Sequence, residues 1–169
     1  MKKLIGIFVL LFIFNNLFSQ GYFNQWYFGN GASIDFNTGV PVPTNNGAMF
    51  TTEGCATFSD YNGNLVFYKD GSTVYNRNHM VMPNGTGLIG DASSSQSALI
   101  VRMQNDTTKY YVFTKDDHLS AGDFRYSIVD MTLDGGNGDV INKNTFLGTS
   151  FTEKNGSRFW FLWCLGYSS

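Results

Sequence analysis

Apolar and polar positions along this chain fall into short runs separated by Gly, Asn and Asp, the pattern of strands joined by tight turns. Residues 24–30 (NQWYFGN) and 32–37 (ASIDFN) form two such runs around Gly29 and Gly31. Residues 56–60 (ATFSD) and 65–71 (LVFYKDG) flank an Asn62-Gly63 turn, a strong short-range sign of a β-hairpin. A third short strand is predicted at residues 72–76 (STVYN). A second hairpin is predicted from residues 97–103 (SALIVRM) and 109–117 (KYYVFTKDD), joined by the polar turn QNDTT. Residues 124–133 (FRYSIVDMTL) read as a further strand, DGGNG as a turn, and DVINKN as the start of another strand. Tyr126, Ile128 and Asp130 alternate with Ser127, Val129 and Met131, yet neither face is purely polar. Strands that are apolar on both faces belong in sheets covered on each side. No window carries helical periodicity over three turns.

The hairpins repeat. VFYKDG at residues 66–71 returns as VFTKDD at residues 112–117, 46 residues later, so that Phe67, Lys69 and Asp70 match Phe113, Lys115 and Asp116. The partner runs ATFS and ALIV lie 42 apart, the second turn being four residues longer. A period in the forties with three or four strands per unit is the spacing of β-propeller blades, each of which is stabilised by stacking on the next. The expected fold is therefore all-β: a partial β-propeller of about two to three four-stranded blades, with little or no helix after the leader. A β-sandwich whose hairpins resemble one another by chance is the plainer alternative. A closed propeller takes about 4–8 blades. The expectation is thus an incomplete array over residues 20–150 that leans on further blades of the same protein. Residues 151–169 are expected to be a divergent, truncated tail, because RFWFLWCLGY crowds apolar residues without alternation.

The first nineteen residues alter the picture of where the chain works. Lys2 and Lys3 precede an unbroken apolar run at residues 4–14, and Asn15 and Asn16 end it. This is the layout of a secretory signal peptide, with cleavage beside Ser19 or Gln20. The run is 11 residues long, whereas a membrane span takes roughly 20. The expected location is secreted or at the outer cell surface, with no stable transmembrane span after cleavage.

Composition agrees with that address. The chain is 17% aromatic and only 14% charged, and its two Glu are Glu53 and Glu153. Helical bundles and disordered chains are both disfavoured by such a mixture. Without Lys2 and Lys3, nine basic residues face thirteen acidic ones, and no basic run exists. Nucleic-acid binding therefore has no support. Cys55 and Cys164 permit one disulfide in an exported protein, and a buried free Cys55 is equally consistent with the pattern.

Several polar groupings carry candidate chemistry. DGSTVYNRNH brings Asp70, Asn76, Arg77, Asn78 and His79 close in sequence as a candidate ligand site, against the plainer reading of an Asn-rich turn bonding its own backbone. His79 and His118 are the only histidines and neither has a second at ligand spacing, so zinc is not expected. DGGNGD comes within one residue of a calcium-binding β-roll turn, which leaves calcium at Asp134 and Asp139 as the one cofactor to consider. SDYNGN fits neither an EF-hand loop nor a sialidase Asp box and reads as a tight turn. GDASSSQS reads as a connection between the two units. Trp26, Tyr27, Phe28, Tyr68, Tyr75, Tyr110 and Tyr111 offer sugar-stacking rings by type, although most are expected in the core between blades.

WYFGNGASIDFNTGVPV, the long string from EGCATFSDYNG to SSQSALIV, YYVFTKDD, and FRYSIVDMTLDGGNGDVINKN together resemble the N-terminal region of large Bacteroidetes surface proteins. Those proteins carry PKD-type repeats and a C-terminal type IX secretion, gliding-motility-associated sorting domain. The resemblance runs from about Gln25 to Leu147 and rests on long strings in order. It implies a β-propeller of several blades, export and surface display, and it supplies no catalytic residue. The family pattern continues with strands after TEK, where this chain departs at Asn155.

Two functions compete at this stage. One is a non-enzymatic adhesion or binding segment that takes a surface glycan or an extracellular protein. The other is an exported carbohydrate-active hydrolase on the same scaffold. The hydrolase needs two carboxylates about 5–9.5 Å apart across one cleft, and Glu53, Asp60, Asp70 and Asp116 are candidates by type. A truncated chain with no function of its own is the third possibility.

Overall fold

The computed structural model describes residues 21–91, 94, 98–116 and 122–149. The predicted leader, the tail from residue 150, His118 and Cys164 lie outside the described residues. Three antiparallel meanders follow one another along the chain. The first sheet holds β1 (Gln25–Phe28), β2 (Ala32–Asp35) and β3 (Val42–Pro43). The second holds β4 (Ala56–Ser59), β5 (Leu65–Lys69) and β6 (Val74–Asn76). The third holds β7 (Ala98–Arg102), β8 (Lys109–Lys115), β9 (Asp123–Asp130) and β10 (Asp139–Thr149). Single 3-10 turns at Gly21–Phe23 and Asp134–Gly136 are the helical pieces among the described residues. None of the described helices is long and apolar enough to cross a membrane.

The all-β expectation holds, while the strand count per sheet differs from four. The first sheet closes on the two-residue β3, where Pro43 has no N–H for a ladder. In the second sheet the return after β6 makes one isolated bridge, Tyr75 to Val81, before Pro83 and the Met82–Gly85 turn divert it. Only the third sheet reaches four strands.

Sheet turns form where the residues favour them. Asp60 accepts the backbone N–H groups of Asn62 (2.8 Å) and Asn64 (2.9 Å) through Oδ1, which bends the chain into the β4–β5 hairpin. Gly63 takes φ +84° in that turn, a left-handed value that glycine adopts at no steric cost. Asn37, beyond β2, donates to the Gly63 carbonyl at 3.0 Å and ties the turn to the first sheet.

The repeat seen in the sequence occupies equivalent strands, with a register detail hidden from it. Phe67 pairs with Phe58, and Phe113 with Leu99, so β4 and β7 are offset by 41 residues at that point. Leu65 pairs with Ser59 and Tyr111 with Val101, where the offset is the expected 42. A bulge between Phe58 and Ser59 absorbs the extra residue.

The second sheet is covered on both faces, as strands apolar on each side require. Tyr68 packs with Tyr27 and Met49 toward the first sheet. Phe67 and Val74 pack with Ile100, Tyr110, Val112 and Val129 toward the third. The first strand of each meander lies beside the first strand of the next, β1 against β4 and β4 against β7. At the β1–β4 contact side-chain hydroxyls replace a backbone ladder. Thr57 Oγ1 accepts the Tyr27 N–H at 2.9 Å and donates to the Tyr27 carbonyl at 3.4 Å, and Ser59 Oγ accepts the Gln25 N–H at 3.3 Å. The exposed edge of β1 is thereby satisfied without merging the two sheets.

Candidate functional site

The sequence grouped Asp70, Asn76, Arg77, Asn78 and His79, and the structure divides them. Asp70 and Asn76 lie at opposite ends of β6. Asp70 Oδ1 accepts the N–H groups of Ser72 (2.9 Å) and Thr73 (2.7 Å), and Oδ2 accepts the Tyr75 hydroxyl at 3.1 Å. Burial, followed by the Asp70 carboxylate, pushes the Tyr75 hydroxyl up to about 12. Asn76 Oδ1 accepts the N–H groups of Asn78 (2.9 Å) and Met80 (3.1 Å), an Asx-type turn that uses its own side chain.

Of the next three residues, Arg77 and Asn78 reach one turn and His79 goes elsewhere. Arg77 Nη2 donates to the Gly136 carbonyl at 3.0 Å, and Asn78 donates to Asn137 Oδ1 at 2.9 Å. Both tether the turn after β6 to the 3-10 turn before β10. His79 instead enters the contact between the first two sheets, with φ +62°. Its ring lies 5.4 Å from Tyr27 and 5.8 Å from Tyr68 by centroid. Its Nδ1 is 3.2 Å from Tyr68 Oη and its Nε2 3.2 Å from Asn46 Nδ2. Burial pulls the imidazole below its ordinary value. Tyr27 of β1, Asn46 in the loop after β3 and Tyr68 of β5 come from distant parts of the chain, so no sequence spacing could have placed them together beside His79.

The candidate carboxylates are distributed over several turns. Asp60 sits in the β4–β5 turn and Asp70 beyond the other end of β5. Burial raises the Asp60 carboxyl, but the Asn64 side chain and the Asn64 and Asn62 backbone N–H groups outweigh it and hold the group below the usual value. Glu53 is exposed in the loop before β4, and Asp116 follows β8 with its N–H donated to Asp123. Of the two calcium candidates, Asp134 starts a 3-10 turn, while Asp139 Oδ1 accepts the Asn84 amide at 2.9 Å. Among the described residues no group of three or more His, Cys, Asp and Glu side chains assembles to hold a metal ion.

One concavity among the described residues is aromatic. A cleft of about 490 Å³ opens at the edges of β1 and β4, lined by Phe23, Trp26, Phe28 and Ile34 on one side and Cys55 and Thr57 on the other. Trp26 is 51% exposed and is still held in place. Its Nε1 donates to the Phe23 carbonyl at 2.9 Å, and its ring sits 5.2 Å from Phe36. Tyr27, Tyr68 and Tyr110 are buried as the sequence suggested, Tyr75 and Tyr111 are half-buried, and Trp26 and Phe28 face outward. Cys55 stands at the cleft wall with no disulfide partner among the described residues, and burial raises its thiol above the ordinary value. Trp26 was visible in sequence as an aromatic strand residue, but the covered face of β1 was not: Tyr27 packs on Tyr68 of the second sheet, and Trp26 on the opposite face is left exposed.

Comparison with known protein families, with characterised proteins and with solved structures finds no match to this chain.

Proposed function

We propose that this chain is a non-enzymatic, exported binding segment: the opening part of a β-propeller-like array on a surface protein, taking a neutral glycan in the aromatic cleft between β1 and β4. The observation that carries the reading is the order of the sheets. Three meanders stack in chain order with their first strands β1, β4 and β7 as successive neighbours, which is how propeller blades surround an axis. The resemblance to gliding-motility-associated Bacteroidetes surface proteins and the signal-peptide layout support export. Further blades of the same protein are the partners the array requires.

The ligand class follows from the cleft wall. Trp26, Phe23 and Phe28 give flat apolar faces, and Gln25 and Thr57 add uncharged polar groups beside them. A ring pinned by a hydrogen bond is ordered before ligand arrives, which lowers the entropy cost of stacking. Asp60 and Asp70 are engaged by their own turns, an arrangement that favours binding over glycoside hydrolysis.

The test is a titration of the secreted chain with neutral oligosaccharides, followed by tryptophan emission and calorimetry. Saturable binding that Trp26→Ala abolishes is expected. Binding unaffected by Trp26→Ala would remove the cleft from the reading. Release of new reducing ends from the bound glycan would replace it with the hydrolase.

A further inference from the structure

We propose that His79 is a protonation-controlled latch between the first and second sheets, closed while its Nε2 is bare and opened when that nitrogen takes a proton. The latch stands on a hydrogen-bond network that fixes which atoms donate. Asn46 lies in the loop after β3. Its Oδ1 accepts the Tyr27 hydroxyl at 3.1 Å and the Ser33 hydroxyl at 2.9 Å. Its amide nitrogen therefore faces His79 Nε2, 3.2 Å away. That nitrogen only donates, so Nε2 must offer a lone pair and Nδ1 must carry the ring proton. Nδ1 in turn donates toward Tyr68 Oη, which also accepts the Ala48 N–H at 2.9 Å.

A second proton on the ring sets N–H against N–H at Asn46. Rotating the carboxamide does not rescue the contact. Ser33 Oγ already accepts the Asn46 backbone N–H at 3.2 Å and lies 2.7 Å from Thr44 Oγ1. Turning the amide would leave the Tyr27 hydroxyl hydrogen without its acceptor, and losing a partner inside the fold is costly. Protonation thus removes one of the bonds that hold the 44–48 loop of the first sheet against the second.

The ionisable groups around the ring do not oppose this. Tyr27 of β1 and Tyr68 of β5 face it, and burial raises both phenols above their ordinary value, so they stay neutral. Asp35 of β2 acts on Tyr27. Arg77, on the same turn as His79, reaches away to Gly136. Burial lowers the folded His79 value, so the unfolded state binds more protons just below the ordinary histidine value. The latch is therefore fully closed above about pH 6.5 and is lost as pH falls through the lower folded value.

The secreted full chain, labelled with nitrogen-15, tests this. Imidazole spectra at pH 7.5 should report protonated Nδ1 and bare Nε2 at the resonance that His79→Asn deletes, with a titration midpoint below 6.5. Asparagine tolerates the positive φ at this position, so the variant keeps the turn. On acidification, amide exchange at Tyr27 and Asn46 should rise by roughly fivefold, the worth of one hydrogen bond, with Val112 as the internal reference. In His79→Asn that pH response should vanish. Asn46→Asp should reverse it, because a carboxylate facing Nε2 holds the imidazolium. A His79 midpoint at or above 6.5, or acid loosening that persists in His79→Asn, overturns the proposal.

Discussion

Tyr27 of β1 stacks on Tyr68 of β5 with ring centroids 4.6 Å apart and planes 17° apart. The pair is the centre of the contact between the first two sheets, and Tyr68 stacks on Tyr75 at 5.2 Å on its own sheet. Tyr68 is fully buried. Its hydroxyl accepts the Ala48 N–H and meets His79, so one side chain supplies apolar area and two polar contacts. Tyr68→Phe should cost about 1 kcal/mol, the worth of a hydroxyl whose partner is left unbonded. Tyr68→Ala should cost roughly 3–5 kcal/mol by opening a cavity. Urea denaturation followed by circular dichroism reads both, and equal losses for the two variants would refute the division.

The connection between the second and third sheets predicts a small-residue requirement. A Cβ at Gly90 would meet the Gly71 carbonyl oxygen and its carbon, with Thr114 on the other side. The obstacle is backbone, so it cannot swing away as a side chain would. Gly90→Ala should destabilise by roughly 1–3 kcal/mol and shift the amide resonances of Gly71 and Thr114 in NMR spectra. Gly87→Ala is a poor control because φ there is +72°. Gly148→Ala is better suited, since a Cβ there meets nothing within 4 Å. Equal stability of Gly90→Ala and Gly148→Ala would contradict the packing argument.

The Asp60 turn makes an acid-side prediction. Asp60 Oδ1 holds two backbone N–H groups, and both carboxylate oxygens accept the Asn64 amide. The net effect lowers the folded carboxyl below its ordinary value of 3.8. Stability from this group is therefore present above the unfolded value and lost as pH falls through the lower folded one. Asp60→Ala should remove that part of the acid dependence and weaken the hairpin at pH 7. Melting curves taken from pH 2 to 7 would show it, and parallel curves for the two proteins would refute it.

These positions differ in how far the sequence announces them. The Asn62-Gly63 turn and the strands around it were legible because turn chemistry and alternation are local properties. β3 escaped notice because Val42–Pro43 lies in a proline-bearing run that argues against a strand, and it pairs over only two residues. The length of β10 was also hidden, since its register shifts three times against β9 and leaves no clean alternation. His79 was legible as a candidate, whereas its partners Asn46 and Tyr27 were not, because sheet stacking alone brings them together. The burial of Lys69 was hidden for the same reason. A lysine followed by aspartate at a strand end reads as a solvated turn until a second sheet covers it.

Lys69 supplies the sharpest alkaline test. It is 0% exposed, pairs across the sheet with Ala56 and Val74, and donates to the Gly71 carbonyl at 3.3 Å. Burial lowers its amine from 10.5 to about 7, with Asp70 and Cys55 acting in the opposite sense. Between about pH 7 and 10.5 the unfolded chain binds a proton that the folded chain does not. Stability from this group therefore rises with pH across that window, by at most about 1.4 kcal/mol per pH unit. Cys55 acts against it, because its raised thiol makes the unfolded state lose a proton first. The comparison that isolates the lysine is wild type against Lys69→Met, which keeps the length of the side chain and removes the charge. The variant should be the more stable protein at pH 7, and the gap should close toward pH 10. A gap independent of pH in urea denaturation would mean that the amine stays protonated in the fold, stabilised by its partners rather than by losing its charge.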